Sequence, residues 1–344
     1  MYKPDYSITN NLLDYISQIE ASKQIIDNAP LVPAWERKFR EEAKERTIHF
    51  STKIEGNKLD FDEAKRIIEG ESVSTVRRRD ILEIVNYRNV INHINKSKKH
   101  KIDKNFICKI HKIVMDKILP ESELGKFRKC EEALLNSKTY EVVFEPIEPE
   151  YLEGAVDDLA GWLEKKSDKI NSIIKAGIIC YEINRLHPFT DGNGRTARII
   201  ATYSLYIDGY DIKRFFSLEE YYDQNLQEYY DALASVEDND DDLTIWLEYF
   251  AKGLACELNR IKNKILDLSK DLKMREKIGQ VALNDRQIKI ISFIQKHGGI
   301  KNRDWQKLFR DVSDDTILRD LKDLIKKGVV QKKGRTKAAR YILK

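Results

Sequence analysis

Apolar residues recur three and four positions apart through most of residues 1–265, and this spacing restricts the chain to a mainly helical fold. Glycine and proline, which interrupt helices, are sparse, at 15 and 7 of 344 residues. The chain is long enough for two or three domains at ~150 residues each. Helices are predicted over residues 35–55, 62–69, 81–96, 104–117, 150–165, 170–186 and 243–277.

Apolar runs are too short to cross a bilayer, and the polar start of the chain argues against a secretory signal. The four cysteines are widely spaced, which favours reduced thiols over a disulfide framework or a zinc site. A cytoplasmic protein without membrane contact is therefore expected.

Residues 282–344 differ in charge from the rest of the chain. They hold 17 Lys+Arg and 7 Asp+Glu, a net charge of +10, whereas the whole chain carries +4. We predict three helices here, over 285–297, 303–309 and 314–327, followed by a hairpin around a basic turn. This order of elements is that of a winged helix-turn-helix domain. The candidate nucleic-acid contacts are Thr316, Arg319, Lys332, Lys333 and Arg335.

DNA is thus one expected partner of this domain. The acidic side chains at 314, 315, 320 and 323 oppose DNA binding, and a role in protein contacts or dimerisation stays open. Residues 266–281 read as a linker helix ahead of it.

Residues 138–146 interrupt the helical pattern with β-branched and aromatic side chains. They predict a short β-hairpin within the helical region. The edge of such a hairpin can accept an extended peptide as an added strand.

The segment HPFTDGNGRTAR, residues 187–198, concentrates chemically useful groups. Pro188 predicts a turn at His187, and the glycines precede a helix predicted from Arg195. A helix N-terminus attracts anions, and Arg195 and Arg198 share one face of this helix. Backbone N–H groups and two arginines in this arrangement can bind the phosphates of a polyphosphate. Asp191 could supply an oxygen ligand to Mg²⁺, and His187 could act as a general base.

Each of these features alone is usually a turn or a solvated surface, whereas their combination is specific. The segment resembles the signature HPFx[D/E]GN[G/K]RxxR of the Fic family at every defined position. Residues 125–128 (GKFR) and 141–149 resemble the family's flap region, and Tyr229-Tyr230 with Ala232-Leu233 resembles a later helix. The resemblance covers roughly residues 35–260.

The resemblance implies a Fic-type helical bundle with a hairpin flap, and transfer of AMP from ATP to a Tyr, Thr or Ser hydroxyl of a target protein. His187 would be catalytic, Asp191 would bind Mg²⁺, and Phe189 would anchor the loop. A glycine at 194, where some relatives carry lysine, favours nucleotidyl transfer. The implied ATP-binding residues are Asp191, Gly192, Asn193, Gly194, Arg195, Thr196, Ala197, Arg198, Val142, Val143 and Tyr229.

A second motif lies at the predicted end of helix 35–55. Ser51 and Glu55 share a helix face, and a carboxylate in a last turn opposes the helix dipole. The sequence STKIEGN resembles the Fic inhibitory pattern [S/T]xxxE[G/N], which implies that Glu55 pairs with Arg198 and blocks productive ATP binding.

The implied organisation is an N-terminal inhibitory region over 1–100 and a Fic core over 101–265, followed by the linker helix and the winged helix-turn-helix domain over 282–344. The expected activity is that of an autoinhibited protein adenylyltransferase, which could form a homodimer. A nucleotide-sensing transcription regulator, an enzyme that removes AMP, and transfer of another nucleotide stay open as alternatives.

Overall fold

The computed structural model describes residues 2–29, 31, 33–73, 76–96, 100–135, 142–165, 167–278, 284–309, 312–334 and 339–344. The predicted, mainly helical fold is confirmed in these residues, which also form two short antiparallel sheets. The helices are α1 Asn10–Asp27, α2 Pro33–Ile54, α3 Phe61–Glu69, α4 Arg78–Lys96, α5 Lys104–Val114, α6 Pro149–Lys165, α7 Ser172–Leu186, α8 Asn193–Ile207, α9 Leu218–Gln224, α10 Leu226–Glu237, α11 Thr244–Ile278, α12 Asp285–His297, α13 Asn302–Leu308 and α14 Asp314–Lys326. The strands are β1 Leu134–Leu135, β2 Val142–Phe144, β3 Val330–Lys333 and β4 Arg340–Leu343.

Helix ends follow local chain chemistry. α3 starts at a capping box formed by Asp60 and Glu63, and it ends at Gly70, where φ is 93°. α5 ends at Val114, three residues before the predicted end, with Met115 as its C-cap at φ −106°, and Lys117 then adopts a positive φ of 60°. None of the helices in the described ranges is long and apolar enough to span a membrane.

The chain divides into two compact units, residues 1–28 with 40–263 and residues 29–39 with 264–344. In the first unit α7 packs along α8, and α4, α5 and α6 pack against this pair. Gly177 of α7 permits close contact with α11, since a Cβ there would lie 2.7 Å from Leu247 Cδ2. Trp246 Nε1 also donates to the Gly177 carbonyl at 2.8 Å. Two largely buried helices therefore fix both ends of the loop that joins them.

The second unit has its own apolar core between α12, α13, α14 and the hairpin. β3 pairs antiparallel with β4, with Val330 opposite Leu343, and Ile300 forms a bridge to Tyr341. The buried core residues are Ile290, Ile294, Ile300, Trp305, Phe309, Ile317, Leu321, Leu324, Val330 and Tyr341.

Candidate active site

The loop between α7 and α8 begins at His187, as the following proline predicts. His187 adopts the left-handed conformation, with φ 43° and ψ 57°, and its N–H donates to the Ile183 carbonyl at 3.2 Å. Its side chain is 17% exposed, and burial lowers the pKa of His187 below its usual range. The imidazole is therefore neutral near pH 7 and able to accept a proton.

Asn193 closes this loop on itself. Its Oδ1 accepts from the Phe189 N–H at 2.9 Å, and its Nδ2 donates to the Phe189 carbonyl at 2.6 Å. Phe189 is fully buried and stacks on His111 with ring centroids 3.7 Å apart, which confirms the predicted anchor. Because the Asn193 amide is engaged in these bonds, it shapes the loop instead of presenting its side chain to a ligand.

The start of α8 is an anion-attracting surface. The helix begins at Asn193, two residues before the predicted start, with Gly192 as its N-cap at φ 82°. A Cβ on Gly192 would lie 2.6 Å from Met115 Sδ, so both the backbone conformation and the available space require glycine. The first N–H groups of an α-helix have no acceptor within it, and they attract anions.

Glu55, at the end of α2, lies over this helix start. A Cβ on Gly194 would be 2.5 Å from Glu55 Oε1, so the carboxylate fills the space that a side chain would take. The same oxygen accepts from Arg198 Nη2 at 2.8 Å, and Arg198 also donates to Ser51 Oγ at 3.3 Å and to the Ser51 carbonyl at 3.0 Å. Burial opposes the charge of Arg198, but Glu55, Tyr229 and Tyr87 together raise the pKa of Arg198 well above its usual range. The predicted contact between Glu55 and Arg198 is confirmed.

Arg195 belongs to a ring of four charged side chains. It is 1% exposed, its Nη2 donates to Asp191 Oδ1 at 3.0 Å, and its Nη1 lies 3.2 Å from Glu83 Oε1. Arg79 closes the ring, with Nη2 2.5 Å from Asp191 Oδ2 and Nε 3.0 Å from Glu83 Oε1. Arg79 and Glu83 were not predicted, because their only signal in the sequence is a spacing of four residues, which places them on one face of α4.

The ring includes Asp191, the predicted magnesium ligand. Both Asp191 oxygens accept from guanidinium groups, and one of these donors, Arg79, is 53% exposed and so accessible for displacement. Within the described ranges no group of three or more His, Cys, Asp or Glu side chains is arranged to hold a metal. One carboxylate fits Mg²⁺ that takes its remaining ligands from phosphate and water.

Three other predicted ATP-binding residues lie in the core. Thr196 and Ala197 are fully buried. Tyr229 is also buried, with its ring stacked on Tyr222 at 4.8 Å, whereas the neighbouring Tyr230 is 46% exposed. The proposed contact between Tyr229 and adenine stays a prediction.

The predicted flap contains the antiparallel pair β1–β2, with Leu134 opposite Phe144 and an irregularity beside it. Residues 136–141 lie outside the described residues, and Val142 and Val143 are described by their backbone pairing alone. Glu132, just before β1, has its Oε2 3.9 Å from His187 Nε2 and was not predicted. Burial raises the pKa of this carboxyl group.

Burial of His111 should make the stability of the protein depend on pH. Burial lowers the pKa of His111 to about 4, against ~6.5 in an unfolded chain, so the unfolded state binds more protons between these values. The contribution of His111 to stability is present above pH ~6.5 and is lost as the pH falls toward ~4. Lowering the pH from ~7 to ~5 should cost about 2 kcal/mol through this group.

Urea denaturation of the wild type and of His111→Gln at both pH values measures this contribution. The variant cannot titrate at this position, so its stability should fall less over the same range. An identical pH dependence in the two proteins would contradict the assignment.

Comparisons with known proteins agree with this geometry. Residues 101–205 match the model of the Fic/DOC family. Protein adenylyltransferase fic-1 of Caenorhabditis briggsae is 30% identical over 159 residues, which cover 44% of this chain and 30% of that protein. Protein adenylyltransferase Fic of Nematostella vectensis is 28% identical over 183 residues, which cover 51% and 41%. The match thus spans well under half the length of these relatives.

Solved structures share the fold. A Fic family protein from Desulfovibrio desulfuricans G20 superposes with a TM-score of 0.71 at 21% identity, covering 100% of this chain and 98% of that one. Residues 134–508 of Fic-1 from C. elegans give a TM-score of 0.60 at 24% identity, covering 75% and 74%. Residues 101–205 thus match the Fic/DOC family model, and the chain shares its fold with solved Fic family proteins.

Proposed function

We propose that this protein is an adenylyltransferase that transfers AMP from ATP to a hydroxyl side chain of a target protein. The observation that carries the proposal is the loop 187–198, where a neutral imidazole lies beside the start of α8 and two buried guanidinium groups. The names of the relatives support the same reaction, because they are protein adenylyltransferases.

The groups have separate tasks in this reaction. His187 accepts the proton of the target hydroxyl as the oxygen attacks the α-phosphorus. The bond from that phosphorus to the oxygen bridging to the β-phosphate breaks, and pyrophosphate leaves. The N–H groups at the start of α8, together with Arg195 and Arg198, bind the phosphates and stabilise the developing negative charge. Asp191 would hold Mg²⁺, which would neutralise part of the phosphate charge.

In the described conformation this machinery is restrained. Glu55 occupies the anion-attracting side of Gly194 and is paired with Arg198. A nucleotide phosphate and this carboxylate would compete for the same guanidinium and the same helix start. We therefore assign Glu55, held beside Ser51, as an inhibitory residue.

The direct test incubates the full chain with ATP, Mg²⁺ and a cell lysate, followed by mass spectrometry of tryptic peptides. The proposal expects a mass increase of one AMP group on a Tyr, Thr or Ser, absent with His187→Ala. Nucleotide binding without any adduct, even in a Glu55→Gly background, would instead favour a nucleotide-sensing regulator. Loss of AMP from a premodified target would indicate the reverse activity.

We interpret residues 282–344 of the second unit as a winged helix-turn-helix domain with DNA as a candidate partner. Arg319 and Lys322 of α14 are exposed, as are Lys332 and Lys333 of β3, while Thr316 is half-buried. Arg335 lies outside the described residues. Two carboxylates that would repel DNA are internally paired, since Arg286 Nε lies 2.8 Å from an oxygen of Asp320 and Lys327 Nζ 2.5 Å from Asp323.

Binding of random duplex DNA tests this interpretation. The full chain should bind with an affinity that falls as salt rises, and the double variant Lys332→Ala/Lys333→Ala should reduce the slope of log K against log salt by about 2. Lys289→Ala on α12, also exposed, is the matched control. Equal, salt-independent retention of all three proteins would favour a role in protein contacts.

A further inference from the structure

The turn 125–128 is attached to the signature loop at both of its ends. The Gly125 N–H donates to His111 Nδ1 at 3.0 Å, and His111 Nε2 lies 2.9 Å from the Asp191 carbonyl. At the other end, the Arg128 N–H donates to the Pro188 carbonyl at 2.9 Å. Hydrogen bonds therefore connect the turn to the loop at both ends of the turn.

The side chain of Arg128 extends this connection to the flap. It is 3% exposed, and its Nε donates to the His187 carbonyl at 2.9 Å. Its Nη1 donates to the Cys130 carbonyl at 2.9 Å, and its Nη2 donates to the Ile147 carbonyl. Cys130 precedes β1 and Ile147 follows β2, so one planar group holds both bases of the flap and the backbone of the proposed catalytic histidine.

These three acceptors explain why a cation is buried here. Burial lowers the pKa of Arg128, and the nearby Glu132 partly offsets this effect. A guanidinium with three carbonyl acceptors keeps its charge and has a fixed planar geometry, which a lysine ammonium cannot reproduce. The Arg128 guanidinium can therefore set the distances between the backbone segments of His187, Cys130 and Ile147.

We propose that Arg128 is a positioning residue that sets the distance between the flap and His187. The inference rests on the proposed function, in which the target backbone lies along the flap and its hydroxyl must reach the imidazole. A displacement of ~1 Å in such an arrangement can cost about 10²-fold in rate. Phosphate binding does not depend on this distance, because the groups that perform it lie on α8.

The test compares wild type, Arg128→Lys and a control, Arg88→Lys, under saturating ATP. Arg88 is matched because it also donates to two backbone carbonyls, of Ile67 and Ile68, at 3.3 and 3.0 Å, away from the flap. We expect kcat for AMP transfer to fall about 10–100-fold in Arg128→Lys, with the KM for ATP within about twofold of wild type. The control should match wild type in both.

Hydrogen exchange of the flap provides a readout that does not require activity. The amides of β1 and β2 should exchange faster in Arg128→Lys than in wild type or the control. If Arg128→Lys does not fold, Arg128→Gln avoids a buried ammonium, retains a planar amide donor and is expected to give the same two changes. If hydrogen exchange of the flap is unchanged in a folded Arg128 variant, the inference about Arg128 is overturned. If the wild type transfers no AMP, the proposed function is refuted, and the exchange measurement still tests the role of Arg128.

Discussion

His187→Ala is expected to lower the rate of AMP transfer by at least about 10²–10⁴-fold, the usual contribution of a general base. ATP affinity should stay within about threefold, since the proposed phosphate contacts come from α8. Initial rates with labelled ATP and titration with a fluorescent nucleotide measure the two quantities.

The matched control is His100→Ala, an exposed histidine that follows α4. It should retain wild-type transfer. Because the pKa of His187 is lowered by burial, the wild-type rate should also hold below pH ~6.5 and fall only when the imidazole becomes protonated. Full activity in His187→Ala would refute the proposed mechanism.

Glu55→Gly is expected to increase self-labelling by about tenfold or more, equivalent to at least ~1.4 kcal/mol of relieved competition. The variant removes the carboxylate that would lie 2.5 Å from a Cβ on Gly194, and it frees Arg198 from its 2.8 Å ion pair. Arg198 keeps both contacts with Ser51, so its side chain stays near the position from which it would bind phosphate. Autoradiography with labelled ATP and calorimetric titration of ATP should change together.

Glu69→Gly is a suitable control, because Glu69 also ends a helix, is exposed and precedes a glycine. It should leave labelling unchanged while carrying a similar cost of placing a glycine at the end of a helix. A Glu55→Gly protein that binds ATP no better and labels itself no faster would exclude inhibition by this carboxylate. Loss of stability alone would lower labelling, so a rise cannot come from damage to the fold.

The short-range features of this chain were accessible from its sequence. These features act on the backbone within one helical turn: the spacing of apolar residues, proline at 33 and 188, and glycine at 56 and 70. They predict α2, α3 and the start of the loop closely. The prediction differed at the end of α5, where the backbone leaves the helical conformation at Met115 although the local sequence contains no proline or glycine.

The roles of Ser51 and Glu55 depended on the family resemblance, because a spacing of four residues states only that two side chains share a helix face. In the structure Ser51 contacts Arg198, which lies 147 positions further along the chain. Such pairs arise from helix packing, for which a single sequence carries no local signal.

The sequence by itself determined the mainly helical fold and the order of imidazole, carboxylate, glycines and arginines in one loop. Only the tertiary structure decided the partners of those groups: Arg79 and Glu83 around Asp191 and Arg195, His111 beneath Phe189, and Arg128 between the flap and His187. The physical reason is that hydrogen bonds and ion pairs depend on distances of a few ångströms between buried helices. Those distances are set by side-chain packing across the whole unit, whereas backbone preferences are set by immediate neighbours.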